Sequence, residues 1–392
     1  MAQSSMLVRE WRVFHRRGGL TDFGRRTFIE PRLSEGTDTG VEEAMLYPQA
    51  VKILEQVPLA AYTTFGIGGP ARYFAEARNE ADVEEAVAWA AERGVRLYVL
   101  GGGSNLLVPD EGFDGLVLHM AIAGVESDGA GGFDVGAGEG WDGFVERVVD
   151  EGCAGLECLA GIPGSVGGTP VQNVGAYGQE VAETILSVRA FDRSSGGFVE
   201  LSNAECGFRY RESVFNTTER GRYIVTRVRF GLRPGGAPRV TYADLQRRFA
   251  GATPTLAQVA AAVREIRLGK GMLIVEGDAD SRSAGSFFKN PVVAEGVLER
   301  MAAAAGVSVD ALPHWPAGEG RVKLAAAWLL EKTGFVKGYG AGPVRISSRH
   351  TLALTNRGGA SFADVRALEG EIVAGVERKF GVRLEREPVL LG

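Results

Sequence analysis

The stretch Val95–Val108 reads V-R-L-Y-V-L-G-G-G-S-N-L-L-V and joins a short apolar run directly to a cluster of glycines. Six mostly apolar residues that end at glycine are typical of a β-strand. Upstream, Asn79 followed by Asp82 has the spacing of a helix capping box, and residues 82–93 carry apolar side chains at helical spacing up to Gly94. With the strand R-Y-F-A-E-A before them, these segments predict a βαβ-like unit and an α/β or α+β architecture.

The glycines after this strand do not form either of the common phosphate-binding motifs. G-G-G-S-N is followed by L-L-V and Pro109 rather than by a helix, whereas the Rossmann fingerprint needs a strand, a G-x-G-x-x-G turn and a helix N-terminus. The sequence also contains no G-x-x-x-x-G-K-[ST] segment. A nucleotide site would therefore have to use glycine loops without a helix dipole.

Three such loops occur in two successive regions, at Gly66–Pro70, Gly101–Asn105 and Ala160–Gly168. Glycine makes up 56 of the 392 residues, about double its average share. A single loop of this kind is more simply a tight turn. Three together, with Ser104, Asn105 and Ser165 among the glycines, indicate backbone N–H groups that bind one long ligand such as a nucleotide.

Further along the chain, the pattern predicts helices over Thr255–Arg267 and Lys323–Lys332, and a strand at T-L-A-L-T-N (351–356). Ser361 and Asp364 have the spacing of a second capping box, and V-R-L-E-R-E-P-V-L-L (382–391) reads as a final strand. Residues 1–44 lack the apolar core of a signal peptide, and we expect them to form a poorly ordered extension.

Composition excludes several classes of function. A net charge of −6 argues against a broad nucleic-acid-binding face, and no apolar run approaches the roughly 18–20 residues needed to cross a bilayer. The three cysteines (Cys153, Cys158 and Cys206) and the four histidines show no metal-ligand spacing, so no metal site is expected. We interpret the cysteines as reduced bystanders in a cytosolic protein.

Six segments in order resemble the motifs of one family. They are T-T-F-G-I-G-G, G-G-G-S-N-L-L-V, G-L-E-C-L-A-G-I-P-G-S-V-G-G, Q-N-V-G-A-Y-G-Q-E, F-R-Y-R-E-S-V-F and S-A-G-S-F-F-K-N-P. The family is that of the UDP-N-acetylenolpyruvoylglucosamine reductases, and the resemblance runs from about Leu54 to Gly392. Six ordered motifs are far more specific than a single glycine loop.

The resemblance implies an α+β flavoprotein with an FAD-binding fold like that of the vanillyl-alcohol oxidase and p-cresol methylhydroxylase proteins. Its expected parts are an FAD-binding subdomain at 45–124, joined by a C-terminal strand at 381–392, a second FAD-binding subdomain at 125–270 and a substrate-binding domain at 271–380. The family is cytoplasmic, uses non-covalent FAD and NADPH, and makes UDP-N-acetylmuramate for peptidoglycan, on which cell-wall biogenesis, cell shape and cell division depend. We expect a monomer with no nucleic-acid, membrane or obligate protein partner.

The FAD contacts that the resemblance implies fall in the glycine loops and in the Q-N-V-G-A-Y-G motif. They are Thr64, Gly101, Gly102, Gly103, Ser104, Asn105, Gly161, Ile162, Pro163, Gly164, Ser165, Gly167, Gly168, Asn173, Gly175, Ala176 and Tyr177.

Three catalytic residues follow from the same resemblance. Ser286 would be the proton donor, although a serine in such a loop is otherwise more simply a turn residue. Arg211 would stabilise the enolate-like anion; Arg209 would share its face on a strand, and only the motif distinguishes them. Glu387 would polarise the substrate carboxylate or relay a proton. Glu385 lies on the same face in a strand, so spacing does not decide between the two glutamates, and Pro388 and the short C-terminus depart from the family pattern.

The expected substrate contacts are Tyr242, on a mobile loop that closes over the UDP part in type I members, together with Lys270, Asn290 and His350. Tyr242 could also be an ordinary strand residue, and Lys270 a solvated helix-end lysine. Two other functions remain open: a flavin oxidase acting on alcohols, which needs only the glycine loops, and a nucleotide-binding module without catalysis.

Overall fold

The computed structural model describes residues 51–392. The prediction of a poorly ordered extension over residues 1–44 lies outside this range. No helix among residues 51–392 has both the length and the apolar character required to span a membrane. No group of three or more His, Cys, Asp or Glu side chains in the same range is arranged as a metal site.

The first region is a four-stranded sheet in the order β1-β2-β5-β3, with a helix between two of its strands. β2 and β3 both pair in parallel with β5, and β1 pairs antiparallel to β2. The capping box of Asn79 and Asp82 begins α1, which confirms the predicted βαβ-like unit. The elements are β1 (Leu54–Pro58), β2 (Pro70–Ala77), α1 (Glu80–Glu92), β3 (Leu97–Leu100), β4 (Leu106–Leu107) and β5 (Phe113–Met120).

The second region is a five-stranded antiparallel sheet in the order β12-β11-β13-β7-β6, and it shares one core with α2 and α4. The rings of Trp141, Phe144 and Phe230 pack against one another at tilted angles in that core. The predicted helix over Thr255–Arg267 is confirmed, with Thr255 as its N-cap. The elements are β6 (Val125–Ser127), β7 (Gly132–Gly136), α2 (Trp141–Asp150), β8 (Cys153–Ala154), β9 (Gly175–Ala176), β10 (Gln179–Glu180), β11 (Ile185–Asp192), β12 (Gly197–Ser202), β13 (Tyr223–Gly231), β14 (Arg233–Pro234), α3 (Ala243–Arg248) and α4 (Leu256–Gly269).

The third region packs α5, α6 and α7 over a small antiparallel sheet in the order β15-β17-β16. β20 leaves this region and pairs in parallel with β4 of the first. The elements are β15 (Val292–Ala294), α5 (Leu298–Ala305), β16 (His314–Pro316), β17 (Arg321–Leu324), α6 (Ala326–Thr333), β18 (Val344–Ile346), β19 (Leu354–Asn356), α7 (Phe362–Phe380) and β20 (Val389–Leu390). Short 3-10 turns lie at Ala60–Tyr62, Glu157–Leu159, Val166–Gly168, Val181–Glu183, Glu295–Val297 and Val309–Ala311.

Three predictions in this region are partly wrong, and the first is the strand expected over residues 351–356, which is limited to Leu354–Asn356. The helix expected from Lys323 begins at Ala326, because Lys323 and Leu324 pair with β15 and β16 instead. The final strand is limited to Val389–Leu390, and within the described chain the preceding tail pairs as a strand only at a single bridge, between Phe288 and Arg386. The capping box of Ser361 and Asp364 is confirmed at the start of α7.

Candidate active site

Two of the predicted glycine loops touch each other. The N–H of Gly102 donates to Oγ of Ser165 (3.2 Å), and a Cβ on Gly102 would lie 2.6 Å from Cα of Gly164. Gly103 has a φ of +60°, and a Cβ there would lie 1.8 Å from the carbonyl oxygen of Tyr62. Only glycine can adopt this conformation where two backbone segments approach so closely. The close backbone contact therefore explains why glycines cluster in these loops.

The touching loops leave N–H donors free. Within residues 51–392, the N–H groups of Gly103, Ser104, Ile162 and Gly164 donate to no other atom of the chain. Successive free N–H groups in such loops form concavities that bind anions. A cavity of about 450 Å³, lined in part by Thr64, Gly101 and Gly102, opens beside them. This combination of donors and space fits the diphosphate of FAD.

Thr64 and Asn105 connect these loops to other predicted site segments. The Thr64 hydroxyl donates to the carbonyl oxygen of Ser283 (2.6 Å), and its N–H donates to that of Gly103 (3.2 Å). Nδ2 of Asn105 donates to Oε1 of Gln172 (2.8 Å), the first residue of the Q-N-V-G-A-Y-G motif. Hydrogen bonds through Thr64 therefore connect the segment that precedes Ser286 to the Gly101–Asn105 loop, and a further bond connects that loop to the Q-N-V-G-A-Y-G motif.

Backbone strain is concentrated at three predicted site residues. Asn173, Tyr177 and Arg211 have φ values of +43°, +50° and +59°, a region that side-chain-bearing residues rarely adopt. Such strain persists only where the surroundings hold it in place, and it clusters at functional sites. Here Nδ2 of Asn173 donates to the carbonyl oxygen of Arg209 (3.0 Å), and Nη2 of Arg211 donates to that of Gly175 (2.6 Å). The Asn173–Tyr177 loop and the Arg211 turn are locked together.

Arg211 and Glu387, far apart in sequence, form an ion pair with 3.4 Å between Nε and Oε1. The segment around Arg211 is a turn closed by a bridge between Arg209 and Glu212, so the expectation that the two arginines would share a strand face does not hold. Arg209 is exposed, whereas the Arg211 side chain is about a quarter exposed. The geometry distinguishes the two arginines where spacing could not.

The carboxyl group of Glu387 is held away from water. Burial raises its pKa above the usual value, and the nearby charges of Arg211 and Lys289 oppose that shift. Glu385 is exposed, because the tail is not a regular strand at this point, so the predicted shared face of the two glutamates is wrong.

The Ser286 loop is hydrogen-bonded to the tail that carries Glu387. The N–H of Glu387 donates to the carbonyl oxygen of Phe287, and the N–H of Lys289 donates to that of Glu385, both at 2.9 Å. Phe287 and Phe288 are almost fully buried and anchor the loop in the third region's core. Ser286 itself is half-buried, and its hydroxyl makes no hydrogen bond with any residue of the described chain. The hydroxyl is therefore available to a ligand.

Two of the four predicted substrate residues, Tyr242 and Lys270, lie beside Tyr177. Its ring lies edge-on to that of Tyr242, with 5.2 Å between centroids, and Nζ of Lys270 lies 5.6 Å from its centroid. Burial, and after it the charge of Lys270, lowers the pKa of His350 to about 4. Asn290 differs, because its side-chain oxygen accepts the N–H of Ala326 (3.0 Å) at the start of α6.

Arg267 is a buried residue of the candidate site that none of the sequence motifs indicated. This arginine is only 7% exposed, its Nε donates to the carbonyl oxygen of Gly161 (2.9 Å), and its charge acts on Tyr177. A signal was present, because Arg267 continues the buried stripe of Leu256, Ala260 and Val263 on α4. A cation at a core-facing position of an amphipathic helix indicates a buried anion or carbonyl partner.

The three cysteines are buried free thiols. Burial raises the pKa of Cys158 and of Cys206 to about 12, so neither is a ready nucleophile.

Comparison with known proteins places this site in a class. The FAD binding domain family matches residues 71–202, and the C-terminal domain family of UDP-N-acetylenolpyruvoylglucosamine reductase matches residues 278–391. The chain is thus a flavoenzyme, an oxidoreductase with an FAD-binding domain and mixed α and β structure.

The family follows from whole-chain similarity. The chain is 49% identical to the UDP-N-acetylenolpyruvoylglucosamine reductase of Streptomyces coelicolor over 92% of its own length and 95% of that protein, and 47% identical to that of Thermobifida fusca over 86% and 97%. The crystal structure of the Thermus caldophilus enzyme matches with a TM-score of 0.60 at 28% identity, over 87% of this chain and 99% of that one. The chain belongs to the UDP-N-acetylenolpyruvoylglucosamine reductase family.

Proposed function

We propose that the protein reduces the enolpyruvyl group of UDP-N-acetylglucosamine enolpyruvate to give UDP-N-acetylmuramate, with NADPH as reductant and non-covalent FAD as cofactor, in the cytoplasm, for peptidoglycan synthesis. Family membership supports the reaction. The observation that carries it is the half-buried pair of Arg211 and Glu387, whose tail is hydrogen-bonded to the loop that carries Ser286.

The reaction adds a hydride and a proton across a carbon–carbon double bond. FAD, when bound, would supply the hydride to the methylene carbon of the enol ether. The electron pair of the double bond then moves to the neighbouring carbon and into the carboxylate. The chain's own residues must hold this carboxylate, stabilise the anion and deliver one proton.

Arg211 is suited to the carboxylate and to the anion that develops from it. A guanidinium carries its charge at any physiological pH and can donate two parallel hydrogen bonds to a carboxylate. Its position is fixed by the bond to the Gly175 carbonyl and by the strained turn, so little reorganisation is needed when charge develops. Glu387 would orient this guanidinium, since its Oε1 lies 3.4 Å from Nε of Arg211.

Ser286 would give its proton to the carbon of the transient enolate. Its hydroxyl is free in the structure, and the buried Phe287 and Phe288 exclude water from one side of the loop. A serine is a weak acid, and it transfers a proton here only because the acceptor is a strongly basic carbon held beside a guanidinium. The serine is then reprotonated from solvent.

The other end of the substrate would bind at Tyr177, Tyr242, Lys270 and His350. Lys270 supplies positive charge for the diphosphate, although it now pairs with Asp244 at 3.3 Å and would have to exchange partners. The 40% exposed Tyr242 ring is free to pack on the nucleotide. Asn290 can use its amide N–H₂ for the substrate, since only its oxygen is engaged.

The direct test is NADPH oxidation by the flavin-loaded protein with UDP-N-acetylglucosamine enolpyruvate. We expect turnover, and a product two mass units heavier than the substrate. UDP-N-acetylglucosamine, which lacks the enolpyruvyl group, serves as control and should give none. Equal rates with both sugar nucleotides, or none with either, would contradict the proposal, and oxidation of simple alcohols with oxygen would favour a flavin oxidase instead.

A further inference from the structure

Glu157 is a carboxylate buried completely, with an exposed fraction of 0%, and held by neutral N–H donors. Its Oε2 accepts the N–H of Gly155 (2.8 Å), and its Oε1 accepts the N–H of Arg239 (2.8 Å) and Nε2 of Gln179 (3.0 Å). The guanidinium of Arg239 points elsewhere, to Glu183 (2.8 Å) and to the carbonyl oxygen of Gly178 (2.7 Å). Both oxygens of Glu157 therefore act only as acceptors.

Burial of a carboxylate carries a large desolvation free energy. The carboxylate loses its hydration and must regain it from correctly placed donors, whereas an apolar side chain of similar size would pack without that requirement. Removal of any one donor or of the acceptor leaves buried polar groups without partners. The arrangement therefore makes sense only if the three segments must be held in one relative position.

The three segments all belong to the proposed site. Gly155 begins the glycine-rich stretch of the FAD loop. Gln179 follows Tyr177, and its Oε1 accepts the N–H of Cys158 (2.9 Å), so that its orientation is fixed from both ends. Arg239 precedes Tyr242 by three residues.

Arg239 is the anchor of the Tyr242 segment. Its N–H donates to Glu157, and its carbonyl oxygen accepts the Cys158 thiol (3.2 Å). Residues 237–241 form no helix or strand, and apart from Arg239 no backbone group in that stretch is hydrogen-bonded within the described chain. The next residues lie against the Tyr177 loop, since a Cβ on Gly178 would be 2.6 Å from Oγ1 of Thr241.

We propose that Glu157 is a positioning residue for the sugar nucleotide. By holding the Arg239 N–H, it sets where Tyr242 lies relative to Tyr177, and it thereby determines the affinity of the site for the nucleotide end of the substrate. This inference rests on the proposed function for its substrate. The anchor itself is a property of the folded chain and is tested separately.

The decisive variant exchanges the carboxylate and the amide: Glu157→Gln combined with Gln179→Glu. Charge and atom count are conserved. The amide nitrogen of the introduced glutamine at position 157 donates to the introduced carboxylate at position 179. That carboxylate still accepts the Cys158 N–H. The amide oxygen of the glutamine at position 157 still accepts the Gly155 N–H. Only the Arg239 N–H then faces a donor. The single variant Glu157→Gln cannot be satisfied in either orientation of its amide, so it disturbs all three segments.

Two measurements are made on the flavin-loaded proteins. Hydrogen exchange followed by mass spectrometry should be faster in the peptide containing Arg239 of the exchange variant and unchanged in the peptide containing Gly155. Its KM for the enolpyruvyl sugar nucleotide should rise about tenfold or more, with flavin content unchanged and kcat affected much less. Glu183→Gln, which removes the charged partner of the Arg239 guanidinium and keeps its bond to the Gly178 carbonyl, is the control and should leave KM within about twofold.

Unchanged exchange at Arg239 would overturn the anchor. Faster exchange with an unchanged KM, or a proportional loss of kcat and flavin content, would overturn the positioning role. If the wild type fails to turn over the sugar nucleotide, the proposed function fails, while the exchange measurement still decides whether Glu157 holds Arg239.

Discussion

The half-buried His350 provides a test of the site's electrostatics that needs no ligand. Burial, and after it the charges of Lys270, Lys337 and Arg267, lower its pKa from the ordinary 6.5 to about 4, while Glu331 opposes the shift. In the unfolded chain the same imidazole titrates near its ordinary value. At a pH between these two pKa values, only the unfolded state binds the proton. The contribution of His350 to the free energy of unfolding is therefore fully present above the unfolded-state pKa, and it is lost as the pH falls towards the folded-state pKa.

The size of the effect follows from the two pKa values. At about pH 5 the unfolded histidine is protonated roughly 30 times more often than it is neutral, while the folded one stays mostly neutral, which corresponds to about 2 kcal/mol of lost unfolding free energy. His350→Gln has no such proton to bind. Between about pH 7.5 and about pH 5, the wild type should therefore lose about 2 kcal/mol more than the variant.

Urea unfolding of both proteins at the two pH values measures this difference, because the contributions of all other groups cancel between them. Parallel pH dependences for wild type and His350→Gln would refute the reasoning. So would an NMR titration in which the folded His350 protonates near pH 6.5.

Three further outcomes follow from single contacts. Asp110→Ala removes a carboxylate that accepts the N–H groups of Phe362 and Ala363 at the start of α7, and should cost about 1–2 kcal/mol in urea unfolding. Gly103→Ala should yield protein with little bound flavin by visible absorbance, because a Cβ there collides with the Tyr62 carbonyl, whereas a Gly143→Ala control meets nothing and should bind it normally. Arg211→Lys should lower kcat by about a hundredfold with flavin retained, since an ammonium cannot replace the planar fork.

Local signals explain which parts of the fold the sequence predicted. The two capping boxes and the βαβ-like unit depend on neighbouring residues, and all were confirmed. The start of α6 was misplaced because K-L-A-A-A-W-L-L-E-K has helical periodicity throughout, and only pairing with β15 and β16 moves Lys323 and Leu324 into a strand. Such pairing depends on distant segments and overrides local preference.

The candidate site shows the same division. Motifs located Ser286 and Arg211, and the structure brings their segments together with the tail. The ion pair of Arg211 with Glu387, the strained φ values and the burial of Glu157 depend on contacts between remote segments. No spacing rule within one segment encodes them. For Asn290 the motif identified the residue but not its structural contact. Nothing in the motif indicates that the side-chain oxygen of Asn290 accepts an N–H at the start of α6.

The central claim, that the Ser286 hydroxyl completes reduction by giving a proton, is tested most directly by separating the two halves of turnover in Ser286→Ala. Under anaerobic conditions NADPH should bleach the flavin of this variant as fast as in the wild type, and added enolpyruvyl sugar nucleotide should then fail to restore the flavin colour. Ser283→Ala, which loses a hydroxyl from the same loop, should recover its colour normally. Recovery in Ser286→Ala at the wild-type rate would contradict the account.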